Sequence, residues 1–324
     1  MLVRVRIHEA GGPEVMRLEP LQPQEPGAGE VWLEHTAIGV NPLDLLQRGG
    51  QVRIPLPSGL GLEGAGRVLA VGEGVSNVAV GDSVGYATGP LGAYASGRLY
   101  PAERLVKLPA ALAPEDAAAI LFKGITAQYL IKTTYPVGPG TRALIYGAAG
   151  GVGQLMAAWA RHLGAFVIGV VSRPQSVERA RVAGCHEVLV FDADRLAAQV
   201  QEKTEGRKVD VVYDCIGRVS LQASLDSLRP RGLLVSFGAS SGAPAPIEMA
   251  TLNAKGSLFA TRPSLAAHTA TAEEYQQRAR DVLEAVAAGI LQPRVAQRYA
   301  LDQVVQAHAD MEQGRNQGAV VLLP

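Results

Sequence analysis

The stretch from Thr141 to Gly164 constrains the fold more than any other part of the chain. An apolar run from Arg142 to Tyr146 enters Gly147, Ala148, Ala149, Gly150, Gly151, Val152 and Gly153, and a helical pattern follows. Val152, Leu155, Met156, Trp159 and Leu163 recur at the spacing of one helix face, and Gly164 reads as a helix stop. Strand, glycine turn and helix start, in that order, make a corner where a dinucleotide's pyrophosphate meets bare N–H groups at a helix N-terminus. Gly150 and Gly153 fit the last two glycines of G-x-G-x-x-G, but Ala148 holds the first place. The same glycines suit a ligand-free turn; the flanking strand and helix favour a nucleotide. Its candidate contacts are Gly147, Ala148, Gly150, Gly151, Val152 and Gly153.

Strand and helix signals alternate after this corner. Candidate strands at 142–146, 166–171, 187–191, 209–214, 232–237 and 257–261 are near-continuously apolar, with helical patterns such as Ser176 to Ala183 and Arg195 to Lys203 between them. This predicts an α/β domain over 126–261 with a doubly wound, six-stranded parallel sheet. Residues up to about 110 differ. Val3, Val5 and Ile7 alternate, as do Val31 and Leu33, and Gly66 to Val71 and Ser83 to Tyr86 read as further strands. Turn signals such as Pro26-Gly27 and Gly81-Asp82 separate them, a β-rich, barrel-like pattern. Pro114, Glu115 and Asp116 open a helix, and a second helical stretch is expected from about Thr126. Beyond Arg262 one helix is expected from Ala272 to Ala288, then short strand-like pieces as far as Val320 to Leu323. The nucleotide domain is therefore expected inside an outer domain split over 1–125 and 262–324.

Charge and hydropathy exclude several partners. Thirty acidic residues balance thirty basic ones, which gives no reason to expect nucleic acid or an anionic membrane surface. No apolar run approaches the roughly 20 residues that span a bilayer, and Met1 to Ile7 lacks a signal peptide's apolar core. A soluble, cytoplasmic protein is the expectation. Cys185 and Cys215 read as small core residues rather than a disulfide framework.

Motifs along the whole chain carry a resemblance. They include His8 to Val15, Ile38-Gly39-Val40-Asn41-Pro42-Leu43-Asp44, Leu56 to Glu63, Gly81 to Val84, Leu121 to Ala127, the glycine corner, Val212 to Asp214 through Gly217, Val235 to Gly238 and Ala260 to Leu265. In these the chain resembles the zinc-independent, zeta-crystallin-like quinone oxidoreductases of the medium-chain dehydrogenase/reductase superfamily, whose glycine motif tolerates alanine at the place of Ala148. The resemblance implies NADPH as hydride donor, a Rossmann domain inserted into a GroES-like domain, and a homodimer. It also implies Asn41, Lys123, Thr126, Arg262 and, near the C-terminus, Asn316 as cofactor contacts.

Zinc-dependent relatives place a cysteine near Asn41 and a histidine beside Glu63. Here those places hold Asn41 and Leu62, and the six histidines are scattered. Zinc needs three or four N or S ligands held together, so no metal is expected. An NAD-specific corner ends its second strand in an acid; here Val171 is followed by Ser172, Arg173 and Pro174. Arg173 and Ser172 suit a 2′-phosphate, hence NADPH. Relatives carry a lysine where Ser176 stands and a tyrosine where Phe191 stands, so the preference is expected to be less strict. Ligands bind at strand C-termini, which adds Gly217, Phe237, Gly238 and Ser240.

Hydride addition to a quinone or enone leaves an oxyanion, so the site needs donors more than a base. Asn41 is the first candidate, through its amide N–H. Asp44 orients neighbours or contacts the nicotinamide end. Lys123 supplies charge, or merely closes a helix. The expected reaction is NADPH-dependent quinone reduction without metal. The alternatives are reduction of α,β-unsaturated aldehydes or ketones and a weakly catalytic NADPH-binding sensor or structural protein. The segment from Leu45 to Arg53 lacks the aromatic residue relatives carry, which favours smaller or non-planar acceptors.

Overall fold

A computed structural model describes residues 2–316 and 318–324. The chain begins with β1 (Val3–Ile7), β2 (Arg17–Pro20), β3 (Glu30–Val40), α1 (Pro42–Arg48), β4 (Ser58–Gly59), β5 (Glu63–Val71), β6 (Ser83–Ala87), β7 (Gly97–Pro101), β8 (Val106–Lys107) and α2 (Pro114–Tyr129). A π-helical turn, Leu130–Thr134, continues α2. Next come β9 (Arg142–Tyr146), α3 (Gly151–His162), β10 (Phe166–Val171), α4 (Val177–Val182), β11 (Glu187–Val190), α5 (Leu196–Lys203) and β12 (Val209–Asp214). They are followed by α6 (Leu221–Ser227), β13 (Leu228–Ser236), α7 (Met249–Ala254) and β14 (Phe259–Thr261). The chain ends with α8 (Ala272–Ala287), β15 (Val295–Ala300), α9 (Val304–Glu312) and β16 (Ala319–Leu323).

Two compact units result. The first comprises Met1–Lys123, Thr269–Val286 and Gln292–Pro324; the second comprises Gly124–His268 and Ala287–Leu291. The junctions therefore fall slightly before 125/126 and slightly after 261/262, and a short piece after α8 joins the second unit.

The first unit is built on a seven-stranded sheet in the order β15-β16-β3-β5-β6-β8, with β7 also pairing β3, and a small β2-β1-β4 sheet. The long strand β3 sends Val31, Leu33, Ile38 and Val40 into a core shared with Val68, Val84, Tyr86, Tyr94 and Leu322. Its register with β5 sets Gly39 opposite Glu63. A side chain at Gly39 would run into the Glu63 carboxylate and the Ala118 carbonyl, so glycine there makes room for a buried acid.

The second unit holds the six-stranded sheet in the order β11-β10-β9-β12-β13-β14, every pairing parallel. That is the doubly wound order, with the reversal between β9 and β12. Leu144, Ile168, Val170, Val209, Val212 and Leu234 fill its core. Parallel strands covered on both faces need apolar residues throughout, which explains the unbroken runs.

Two expectations need correction. No second helix begins at Thr126; α2 runs without a break to Tyr129, because no proline interrupts it and Gly124 sits inside it. The tail is not only strand-like pieces, since 304–312 forms α9. Val304, Ala307 and His308 are its buried face, at helical spacing.

Candidate functional site

The glycine corner stands at the switch point of the second unit's sheet. Gly147 adopts φ +62 at the end of β9, and Gly150 is the N-cap of α3. The first bond into the helix is Gln154 N–H to Gly150 C=O. The N–H groups of Gly151, Val152 and Gly153 therefore precede any intrahelical acceptor, the arrangement that receives an anion. A Cβ at Gly153 would strike the Gly147 carbonyl and lie 2.9 Å from the Ala148 Cα. The backbone of the turn thus lies directly on the helix. The alanine in the first motif place has a local reason. The buried Ala148 methyl faces Gly169 of β10, where a Cβ would lie 2.8 Å from it.

The other predicted contacts of this unit sit at strand C-termini. Ser172 and Arg173 are exposed just after β10, and no acid stands beside them in sequence. Gly217 follows β12 with φ +95, and a Cβ there would lie 2.5 Å from the Gly242 carbonyl. Phe237, Gly238 and Ser240 follow β13; a Cβ at Gly238 would lie 2.8 Å from the Cys215 carbonyl. Arg262 follows β14 and donates to the Ser236 hydroxyl at 3.3 Å. Thr126 is buried in α2. Asp214, at the end of β12, is structural. Its carboxylate accepts from the N–H groups of Ile216 and Gly217 and the hydroxyls of Ser220 and Ser224. Phe191, where relatives carry tyrosine, packs edge-on against Tyr146 at 5.9 Å between centroids. Burial pushes both cysteine thiols up to about 12.

In the first unit the fold brings Asn41, Asp44 and Lys123 together and adds Glu63. Asn41 caps α1, and its backbone N–H donates to Asp44 Oδ2 at 2.9 Å. Asn41 Nδ2 donates to Glu63 Oε2 at 2.8 Å. Lys123 Nζ donates to Asn41 Oδ1 at 2.9 Å and to Glu63 Oε2 at 3.4 Å. Glu63 Oε1 accepts from the Phe122 N–H at 2.7 Å. Burial pushes the Glu63 carboxyl above its ordinary range, and the Lys123 ammonium opposes that. Lys123 does not close a helix: it is buried midway along α2, where its charge has a partner.

Asp44 is fully buried, and burial raises its pKa to about 7. Its Oδ2 also accepts from the Tyr94 hydroxyl at 2.8 Å, whereas Oδ1 has no partner among the described residues. Behind Tyr94 stands His308 Nε2 at 3.0 Å, and Arg48 Nη1 lies 3.0 Å from His308 Nδ1. Arginine can only donate, so Nδ1 accepts and Nε2 carries the proton towards Tyr94. Burial, then the Arg48 charge, lowers the His308 pKa to about 3 and keeps the ring neutral. Arg48 ends the chain on Glu312 of α9.

The sequence had shown Arg48 and His308 as unrelated residues. They lie 260 positions apart and no spacing links them. Glu63 carried a signal, an acid within the apolar run Leu60 to Ala65. Asn316 is not shown with this cluster. Its amide N and O are both buried without a partner among the described residues, which suits a residue that bonds a ligand. Among the described residues no three His, Cys, Asp or Glu side chains form a group able to hold a metal ion, and no helix is long and apolar enough to cross a membrane.

Two family models match the chain: an alcohol dehydrogenase GroES-like domain over 27–110 and a zinc-binding dehydrogenase domain over 183–322. The quinone oxidoreductase of Pseudomonas aeruginosa is 43% identical over the full length of both chains. A 2-haloacrylate reductase from a Burkholderia species is 43% identical, covering 100% of this chain and 99% of that one. The crystal structure of Escherichia coli quinone oxidoreductase complexed with NADPH superimposes with a TM-score of 0.94 at 41% identity, covering 99% of this chain and 100% of that one.

Proposed function

The chain belongs to the quinone oxidoreductases of the medium-chain dehydrogenase/reductase superfamily, and from that premise we propose that it reduces quinones with NADPH and without a metal. The observation that carries this is the corner itself, with free first-turn N–H groups on α3 and an arginine where an NAD-specific strand ends in an acid. NADPH supplies the hydride when bound. The turn from Gly147 to Gly153 holds the pyrophosphate, and Arg173 with Ser172 holds the 2′-phosphate. Thr126, Gly217, Phe237, Gly238, Ser240 and Arg262 line the rest of the nucleotide, and the unpartnered Asn316 amide supplies a further contact. In the first unit Asn41 and Lys123 meet the negative charge that develops on the acceptor oxygen, and Asp44 orients Asn41 through its backbone N–H. The proton that completes reduction comes from solvent. A divalent metal would not suit this cluster, because the Lys123 ammonium already neutralises Glu63.

Steady-state rates with NADPH and NADH against quinones and enals test the assignment. Quinone turnover well above enal turnover is expected. A reversed preference would favour the enone reading, for which the 2-haloacrylate reductase relative and the aromatic-poor segment from Leu45 to Arg53 speak. Tight NADPH binding with no turnover of any acceptor would leave a sensor or structural protein. Arg173→Ala should raise the KM for NADPH about tenfold or more, a loss typical of one charge-assisted contact, and that for NADH little. Equal effects would remove Arg173 from the phosphate site.

The homodimer is part of the same proposal. The edge strand β14 is open, and Phe259 on it and Met249 on α7 are 60% and 78% exposed. An open apolar edge invites pairing, and two copies meeting about a twofold axis would close it. Phe259→Lys should sediment as a monomer where the parent sediments as a dimer; a monomeric parent at micromolar concentration sinks the idea. A cytoplasmic location goes with this reading, and recovery in a membrane or exported fraction would count against it.

A further inference from the structure

We propose that Glu63 is a positioning residue for the reaction, working with Lys123 to hold the Asn41 amide in a single orientation. The proposal rests on the reading of Asn41 as the donor to the acceptor oxygen. Asn41 is 1% exposed and its amide lies between opposite charges: Nδ2 faces the Glu63 carboxylate and Oδ1 faces the Lys123 ammonium. Rotating the amide by half a turn would set oxygen against carboxylate and NH2 against ammonium, losing both bonds and adding two repulsions. One orientation remains. It commits one Nδ2 proton to Glu63 and leaves the other without an acceptor among the described residues.

Glu63 is itself held on every side. Its partners are the Phe122 N–H, the Asn41 amide and the Lys123 ammonium, all donors. Three donors around one carboxyl favour its ionised form and oppose the effect of burial. Gly39, its cross-strand neighbour, leaves it the space it fills. The long strand pair β3–β5 therefore supplies a rigid wall, and α2 supplies the countercharge. A donor that keeps its direction before the reaction is worth more than one that must turn during it.

Glu63→Gln changes little in volume but ends the discrimination. The new NH2 group satisfies Asn41 through its oxygen, so the amide can rotate and present the wrong atom. Lys123 also loses its anion. The expected result is a fall in kcat of about thirty- to a hundredfold, in the range found for one oxyanion donor. The NADPH Kd should stay within threefold. A merely structural role lowers the folded fraction and leaves the Asn41 amide in its one orientation. If Glu63→Gln does not fold, Glu63→Asp keeps the charge beside Lys123 but draws the carboxylate back from Asn41 Nδ2, and the same fall in kcat is expected.

An independent readout needs no acceptor. The chain has four asparagines, so selective 15N labelling resolves the Asn41 amide. Its two protons should exchange at distinct rates in the parent and at similar rates in the variant. A folded variant with kcat within threefold or an unchanged Asn41 amide overturns the role of Glu63. A parent that turns over no acceptor fails the proposed function alone, and the amide exchange still decides the present point.

Discussion

Gly153→Ala should raise the Kd for NADPH at least about a hundredfold and lower stability by about 1–3 kcal/mol, the usual cost of forcing an atom into a filled space. Its added methyl would collide with the Gly147 carbonyl and approach the Ala148 Cα, both backbone atoms. A side chain could swing aside, but a backbone turn can yield only by opening. Opening moves the N–H groups of Gly151 and Val152 away from the pyrophosphate, and about 1 Å of misplacement costs about a hundredfold. Gly138→Ala is the control, because nothing lies within 4 Å of the Cβ it adds and its φ is ordinary. Titration calorimetry with NADPH and urea unfolding of both variants would decide. Binding within threefold of the parent in Gly153→Ala would show that the turn does not carry the nucleotide.

Lys123→Met should cost about 3–5 kcal/mol of stability at neutral pH, since it leaves the buried Glu63 without its cation. The loss should depend on pH in a fixed direction. Burial raises the folded-state pKa of Glu63 above the ordinary 4.5. A raised acid contributes stability in full below its unfolded pKa and loses it as pH rises through the folded value. Removing the ammonium raises that folded value further, so the loss extends to higher pH. The variant should therefore lie nearest the parent near pH 5 and furthest from it near pH 8. Urea unfolding at both values measures the gap. An equal gap at both would mean that lost packing, not charge, accounts for the effect. The Lys123 ammonium also opposes the rise of the Asp44 pKa to about 7, so its loss adds an Asp44 contribution to the gap in the same direction.

Local features of the chain were the most legible. The strands at 142–146, 166–171 and 209–214 agree with β9, β10 and β12, because unbroken β-branched and apolar runs have few other uses in a chain of this kind. The stop at Gly164 holds for a local reason too: its φ of +87 suits glycine. The helix α9 was missed because its three buried residues, Val304, Ala307 and His308, make too short a stripe to stand out. Lys123 reads locally either as a supplied charge or as the close of a helix, and the packing of α2 decides it, burying it inside the helix against Glu63.

The polar cluster divides along the same line. Asn41 and Asp44 share one turn of chain, and their bond is a helix cap that sequence spacing encodes. Glu63 meets them through the register of β3 with β5, and Lys123 reaches them from α2. His308 and Arg48 come together across nearly the whole chain. The sequence by itself determined the run of strands in the second unit, the glycine corner and the absence of an acid after β10, because each depends on near neighbours along the backbone. Only the tertiary structure decided which buried charges face one another and which way the Asn41 amide points. Those depend on burial and on distances between segments that no spacing in the chain records.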